Sequence, residues 1–153
     1  MTQTIKLTSD QIKLMSLFQN VTGATARDCI EDSKLNRIIF TVNPGKMGLA
    51  IGKHGSHIKN LQNIVKRDVE IVEHDDDPAT FLKNMLNPKF VSEVKLNKRV
   101  DGSMQAIVMV DSKRKGIVVG REGRNAEKAR LLAKRYFGIT NVLIQSPQPI
   151  MEL

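Results

Sequence analysis

The sequence predicts an α+β protein made of two small tandem domains, each a three-stranded sheet with helices on one face. Three observations carry this prediction. A glycine-rich loop occurs twice, and the helix and strand patterns around its two copies follow the same order. An acidic run ending in proline, residues 75–78, separates the copies and has the form of a helix start. We therefore expect domains at 1–75 and 76–145, followed by a tail at 146–153.

Size and composition are those of a small globular protein. The 153 residues suffice for one ordinary domain or two small ones, and a hydrophobic content of 41% is enough for packed cores. No apolar run approaches membrane-spanning length, and the N-terminus lacks the apolar segment of a signal peptide. The single cysteine, Cys29, cannot form an intrachain disulfide, which suits a reducing compartment. We expect a cytoplasmic, monomeric protein that does not act at a membrane.

The charge of the chain favours a nucleic-acid partner. The net charge is +8 and the pI is near 9.8. Residues 1–76 carry 10 Lys and Arg against 9 Asp and Glu, whereas residues 77–153 carry 14 against 7. The second half should therefore supply most of the long-range attraction. Aromatic residues make up only 4% of the chain, which argues against a binding surface built on stacked aromatic rings.

The first half reads as one helix followed by two strands, two helices and a strand. Thr8 or Ser9 can cap the first helix, Gln11 completes a capping box, and Gly23 ends the helix. In order, the patterns after it predict a strand at 26–31, a strand at 36–42, a short helix at 46–51, a helix at 56–66 and a strand at 69–72.

The second half repeats this order. Asp77 can cap a helix whose first residue is Pro78, and Asp101-Gly102 is a hairpin signal. The remaining predictions are a strand at 90–98, a strand at 103–110, a short helix at 112–119, a helix at 124–137, a strand at 141–144 and a frayed tail from 146.

Apolar residues at helical spacing predict the buried helix faces of the first domain. Those expected in its core are Ile12, Leu14, Met15, Leu17, Phe18 and Val21, followed by Ile58, Leu61, Ile64 and Val65.

The repeated loops read GLAIGKHGSHIK at 48–59 and GIVVGREGRNAEK at 116–128. Glycine lacks a Cβ, so a phosphate–sugar chain can lie close to the backbone there. The first amide N–H groups of a helix lack intrahelical partners and attract anions. The apolar triplets at 49–51 and 117–119 should anchor each loop from below. Two copies with a basic residue at the same place favour two nucleic-acid backbone sites over two simple turns.

The predicted binding residues are the loops and the cations beside them. Lys113, Arg114 and Lys115 precede the second loop and are well placed to meet phosphates. The full set is Gly52, Lys53, His54, Gly55 and Lys59 for the first loop, and Lys113, Arg114, Lys115, Gly120, Arg121, Glu122, Gly123 and Arg124 for the second.

Two alternatives involve catalysis or a metal. Residues 48–53 resemble a phosphate-binding NTPase loop, but one residue is missing between the glycines, and His54 occupies the place of the hydroxyl that binds magnesium. His54, His57 and His74 could bind a metal, but no cysteine or acidic cluster completes the set, so we favour solvated loop histidines. We expect no enzymatic activity, no cofactor and no metal.

The stretches AIGKHGSHIKNLQ and VVGREGRNAEKAR resemble the GxxG loops of KH domains. A helix and two strands before each loop resemble the type II arrangement of that fold. The tandem pair resembles the KH portion of the NusA transcription factors and their short archaeal members, and this resemblance covers about residues 5–145.

The resemblance implies two rigidly packed KH domains that bind single-stranded RNA in transcription elongation or termination. Residues 52–55 and 120–123 would each clamp the RNA backbone, and RNA polymerase is a candidate protein partner. A KH module in ribosome assembly or RNA processing stays an open alternative. Glu122 is unexpected at a loop tip; pointing away and pairing with Arg124 are both open.

Overall fold

The computed structural model of the chain describes residues 5–147. Its contacts divide this part of the chain into two compact units, Lys6–Asp75 and the residues from Asp76 onward. Each unit follows the expected order of helix, two strands, short helix, loop, helix and strand, which confirms the α+β prediction. Within the described residues, no helix combines the length and apolar character needed to cross a membrane.

The first helix, α1 (Ser9–Thr22), begins and ends at the predicted residues. The Thr8 hydroxyl accepts the N–H of Gln11 at 3.1 Å, and the Gln11 side chain accepts the N–H of Thr8 at 2.9 Å. Gly23 ends the helix in the left-handed conformation, with φ of 79°. The other elements of the unit are β1 (Ala26–Asp32), β2 (Arg37–Val42), α2 (Met47–Ile51), α3 (Ser56–Val65) and β3 (Asp68–Glu73).

In the first sheet, β2 is the central strand. β1 pairs with it antiparallel and β3 pairs with it parallel. Parallel neighbours need a crossover connection, which α2 and α3 provide. The first glycine loop lies inside this crossover, between the two helices.

The core of the first unit lies between its helices and one face of the sheet. Phe18 of α1 stacks on Phe40 of β2 with ring centroids 4.5 Å apart. Ile12 and Ile64, expected in this core, are 52% and 54% exposed, so the expectation was wrong for both. Their helices carry apolar stripes wider than the surface that they cover, so the edge of each stripe stays in solvent. The fully buried members are Phe18, Cys29, Ile38, Phe40, Val42, Ala50 and Leu61.

The opposite face of β2 is buried too. Arg37, Ile39 and Thr41 are at most 1% exposed. The Arg37 guanidinium donates to Asp32 at 2.8 Å and to Glu70 at 2.9 Å. A buried guanidinium is costly unless it is paired, and these two carboxylates offset that cost.

The second unit starts with a capped helix, as predicted. The Asp77 carboxylate accepts the N–H of Thr80 at 3.0 Å, and Pro78 is the first helical residue. The elements are α4 (Pro78–Met85), β4 (Val91–Lys98), β5 (Met104–Val110), α5 (Lys115–Val119), α6 (Arg124–Phe137) and β6 (Ile139–Gln145).

The short helix α5 starts later than expected. We predicted a helix from residue 112, but residues 111–114 form a turn closed by a 2.9 Å hydrogen bond from the Arg114 N–H to the Asp111 carbonyl. Lys113 and Arg114 therefore lie in a turn before the helix. The last strand is longer than predicted, because its pairing with β5 begins at Ile139. The expected tail lies outside the described residues from 148 onward.

In the second sheet, β5 is the central strand, with β4 antiparallel and β6 parallel to it. Ala106, Val108 and Val110 are fully buried against the helices. The alternate residues, such as Ile107 and Met109, are half-buried. The predicted hairpin turn between β4 and β5 is confirmed, and its glycine adopts φ of 88°.

Candidate nucleic-acid interface

The two glycine loops have the same backbone conformation. Loop one comprises residues 52–55 and loop two residues 120–123. Gly52 has φ 78° and ψ 166°, and Gly120 has φ 83° and ψ 167°. The tip residues His54 and Glu122 both have φ 56°, a left-handed value that is uncommon for residues other than glycine. The repeat detected in the sequence is therefore a repeat of backbone geometry.

Hydrogen bonds close the two loops in the same way. The N–H of Gly52 donates to the carbonyl of Gly48, and the N–H of Gly120 donates to that of Gly116, both at 3.0 Å. The last glycine of each loop donates to the first glycine at 3.1 Å. These bonds set each loop tightly between a short helix and the start of a longer one.

The two glycines within a loop are required for different reasons. A Cβ on Gly52 would lie 2.6 Å from Cγ of His57, and a Cβ on Gly120 would lie 2.8 Å from Nδ2 of Asn125. Gly55 and its counterpart in loop two have nothing within 4 Å of such a Cβ, so they face open space. The sequence predicts that these glycines allow close approach of a ligand. For the first glycine, the chain's own side chain already accounts for the requirement.

The helices that follow the loops begin without a side-chain cap. Gly55 precedes α3 and Gly123 precedes α6, and within residues 5–147 neither helix start has a side-chain cap hydrogen bond. By contrast, Thr8 caps α1 and Asp77 caps α4. The N–H of the first helical residue already donates to a carbonyl within its loop, Ser56 to Lys53 and Arg124 to Arg121. The amides that follow in the first turn of α3 and α6 are therefore the ones that can meet an external anion.

Cations surround both loops. At the tips, Lys53, His54, Arg121 and Glu122 are exposed. Lys59 on α3 is exposed, and Arg124 at the start of α6 is half-buried. Loop one therefore carries two groups that can be cationic, whereas loop two carries one cation and one carboxylate at its tip.

The basic turn before loop two is also exposed. Lys113, Arg114 and Lys115 all lie at the surface. The guanidinium carbon of Arg114 lies 5.2 Å from the centroid of the Phe90 ring, a cation–π contact. This contact orients Arg114 without neutralising it.

The three histidines do not share one environment. His54 is exposed, but Nδ1 of His57 lies 2.7 Å from the Leu49 carbonyl oxygen, and His74 is only 5% exposed. The expectation of solvated loop histidines was therefore wrong for His74. Across the described residues, 5–147, no group of three or more His, Cys, Asp or Glu side chains could hold a metal ion.

Two apolar residues next to the loops were assigned the wrong environment. Leu49 and Ile117, expected to anchor the loops, are 47% and 53% exposed. Ala50 and Val118 are the residues that anchor α2 and α5, at 0% and 1% exposure. Three consecutive residues of a helix cannot all face the core, so the sequence alone already argues against burial of the whole triplet.

Comparisons with known proteins agree with this geometry. The KH-domain family matches residues 14–101, which include loop one. The probable transcription termination protein NusA of Halobacterium salinarum is 34% identical over 139 residues, covering 91% of this chain and 97% of that protein. Its namesake from Methanococcus vannielii is 30% identical over 140 residues, covering 92% and 79%.

A bacterial protein and a solved structure extend the likeness. The transcription termination/antitermination protein NusA of Mycobacterium tuberculosis is 30% identical over 111 residues, covering 71% of this chain and 31% of that protein. The crystal structure of the protein APE1850 covers 91% of this chain and all of its own, with 34% identity and a TM-score of 0.83. The chain therefore belongs to the KH-domain proteins and, among them, to the NusA family.

Proposed function

We propose that this protein binds single-stranded RNA through both glycine loops and acts in transcription elongation and termination. The observation that carries the proposal is the pair of uncapped helix starts, at α3 and α6, each behind a loop with an exposed cation. An RNA phosphate is the anion that fits such a site in a chain of net charge +8. The proposal treats the second unit as a second KH domain because its loop repeats the backbone of loop one.

In this proposal each loop holds the RNA backbone while neighbouring side chains meet the bases. KH loops clamp about four nucleotides. Phosphates would accept hydrogen bonds from first-turn amides and from Lys53 or Arg121. Leu49 and Ile117 would give the bases an apolar contact, since both stand exposed one helical turn or less before a loop. Arg114, oriented by Phe90, would add a further cation beside loop two.

Charge reversal at the loop tips tests RNA binding. We expect Lys53→Asp with His54→Asp, and Arg121→Asp with Glu122→Asp, to weaken binding of a single-stranded RNA by about tenfold or more each, which is about 1.4 kcal/mol. Titration with a labelled RNA measures the effect, and circular dichroism checks the fold. If the variant changed in both loops binds RNA as tightly as the parent, the proposed site is wrong.

Matched controls separate the site from overall charge. Ser33→Asp with Lys34→Asp changes the formal charge as much as the loop-one variant does, in the β1–β2 turn. Lys98→Asp changes the formal charge as much as the loop-two variant does, at an exposed position at the end of β4. Both controls should reduce affinity only slightly, because they act through screened long-range attraction.

We propose the transcription role because the relatives of this chain are NusA transcription termination proteins. We propose RNA polymerase as a protein partner, and a monomeric cytoplasmic factor without catalytic activity. Crosslinking in cells followed by sequencing should recover nascent transcripts. Affinity purification should recover polymerase subunits in preference to ribosomal proteins, and the reverse enrichment would favour a role in ribosome assembly.

We also propose that both units bind one RNA strand. Only residues 74–77 separate β3 from α4, and a short tether gives the second loop a high effective concentration near RNA held by the first. Inserting about ten Gly-Ser residues between Asp75 and Asp76 should lower affinity for an RNA that can reach both loops. Affinity for an RNA that fills one loop should not change. Equal affinity of parent and insertion variant for the long RNA would contradict binding by both units.

A further inference from the structure

We propose that His57 and Asn125 are the positioning residues of the two loops. We further propose that His57 makes RNA binding at loop one depend on pH, whereas Asn125 leaves loop two without that dependence. Each residue follows the first glycine of its loop by the same number of positions, at the first turn of α3 or α6. The inference rests on the proposed function, since RNA is the ligand whose affinity responds.

In each loop a side chain packs on the first glycine. The imidazole of His57 and the amide of Asn125 occupy the space where a Cβ on Gly52 or Gly120 would lie, at 2.6 and 2.8 Å. These glycines have φ near 80° and ψ near 166°, a region that glycine alone enters readily. A side chain packed against such a glycine limits its motion, so it holds the loop in the shape that presents the helix amides.

The hydrogen bond of His57 adds a second restraint at loop one. Its Nδ1 lies 2.7 Å from the Leu49 carbonyl oxygen. A carbonyl oxygen can only accept, so Nδ1 is the donor and carries a proton. This bond joins α2 to the first turn of α3 and therefore braces loop one from both sides.

The same bond decides how the ring meets an anion. In the neutral ring the proton is on Nδ1, so Nε2 has a lone pair and no hydrogen. Protonation makes Nε2 a donor and the ring a cation, which favours a phosphate bound at the start of α3. Anion binding and proton uptake are therefore coupled, and affinity at loop one should rise as pH falls through the range in which histidines titrate, about pH 8 to 5.

The surroundings contain one other histidine, His54 at the tip of loop one. Lysines and carboxylates ordinarily do not change charge between about pH 8 and 5. Loop two has Glu122 and Asn125 at the two matching positions, so it lacks both histidines. The charged and titratable groups on α3 and on the elements packed against it are Lys53, His54, Lys59, Asp10, Lys13, Asp68, Glu70 and Glu73.

Affinity measured against pH tests the coupling. In a chain whose loop two is disabled by Arg121→Asp, we expect affinity for a short single-stranded RNA to rise roughly three- to tenfold from about pH 8 to 5.5. His54→Asn should keep part of this rise, and His54→Asn with His57→Asn should abolish it. Asn125→His, with loop one disabled by Lys53→Asp, should create a rise at loop two. A pH-independent affinity in the His54→Asn chain would overturn the pH dependence.

Comparison of two replacements tests the positioning role. His57→Asn installs the residue that loop two already uses, so at about pH 8 it should retain more of the parent's RNA affinity than His57→Ala does. His57→Ala removes the packing and the hydrogen bond, so it should bind RNA several-fold more weakly at every pH while the protein stays folded. Equal affinity of the alanine and asparagine variants at high pH would overturn the positioning role.

A measurement without RNA separates this inference from the proposed function. Nitrogen-15 NMR of the free protein should find the neutral His57 ring protonated on Nδ1. If that tautomer is present but no RNA binds at any pH, RNA binding is the part that fails. If the proton is on Nε2, the inference is overturned even when RNA binds both loops.

Discussion

Loop one and loop two share a backbone but differ in charge. The corresponding φ and ψ values of their glycines and tip residues differ by 5° or less. At the tips, Lys53 and His54 correspond to Arg121 and Glu122. The two loops therefore present the same helix amides to a ligand, while the side chains at the tip set how strongly each attracts an anion. The glycines therefore determine the backbone shape of each site, and the residues at the loop tip determine how strongly that site attracts an anion.

The two sheets share an element order but differ in how deeply their central strands are buried. The central strand β2 is buried on both faces, including the guanidinium of Arg37, whereas β5 is buried on one face and half-buried on the other. Gln105 in β5 corresponds to Arg37 in β2, because each residue comes immediately before the first fully buried residue on the helix-facing side of its strand. The same element order thus supports one sheet with a buried ion-pair network and one without it.

The largest effect should come from removing the charge at the centre of that network. Arg37→Gln places in β2 the residue that β5 already tolerates, but it removes the buried cation that both Asp32 and Glu70 contact. We expect a loss of about 3 to 5 kcal/mol in the free energy of unfolding. Gln105→Ala should cost less than about 0.5 kcal/mol. Urea denaturation measures both, and a similar small cost at the two positions would mean that the ion pairs contribute little.

The next largest loss of stability should come from glycine substitutions in loop one. Gly52→Ala forces a side chain into a glycine-only conformation and into contact with His57, at a cost of about 1 to 3 kcal/mol. Gly55→Ala meets open space and carries only the left-handed backbone cost, about 1 to 2 kcal/mol. RNA affinity at loop one should fall more for Gly52→Ala. The pair in loop two should show the same order in melting and binding measurements, and the opposite order would refute the steric explanation.

The salt dependence of binding tests the charge difference between the two halves. On single strands, log K falls with log salt by about 0.7 for each phosphate neutralised. We expect Arg121→Ala with Arg124→Ala to flatten this slope more than Lys53→Ala with Lys59→Ala. Although Glu122 lowers the charge at the tip of loop two, the second half carries most of the net charge, including the exposed cations at 113–115 beside that loop. Titrations at several salt concentrations give the slopes. Equal slopes for the two variants would reject a dominant second loop.

The smallest effect concerns a capped helix start, which contrasts with the uncapped ones at the loops. Hydrogen bonds from the Thr80 hydroxyl and N–H lower the pKa of Asp77 from its ordinary value of 3.8. The stabilisation is therefore present above that value and is lost as pH falls through the lower pKa of the folded state. Asp77→Ala should cost about 1 kcal/mol at neutral pH.

Two controls test whether the Asp77 carboxylate is the cap: an asparagine variant and a comparison of stability at different pH. Asp77→Asn keeps an oxygen acceptor, so it should retain most of the stability while losing the dependence on acid. Thermal melts between neutral and strongly acidic pH compare the three proteins. An alanine variant whose deficit is as large in strong acid as at neutral pH would contradict an ionised cap.

Much of the chain could be predicted because its signals are local. The start of α1 follows from Thr8 and Gln11 and its end from Gly23, and each acts within a few residues of the helix end that it sets. The positions of both loops follow from glycines whose unusual dihedral angles other residues would strain to adopt. The order of the elements, both loops and the ends of α1 were therefore predictable from spacing alone.

Tertiary structure decided what depends on residues distant in the chain. Arg37 is buried because Glu70, 33 positions away, reaches its guanidinium, and no periodicity in the sequence indicates that pairing. Leu49 and Ile117 are exposed because α2 and α5 pack on their sheets and neighbouring helices with Ala50 and Val118 turned inward. His57 meets Leu49 only when the chain folds back across loop one. Local propensity specifies each element, but burial and pairing depend on which elements pack together, and that is a property of the folded chain.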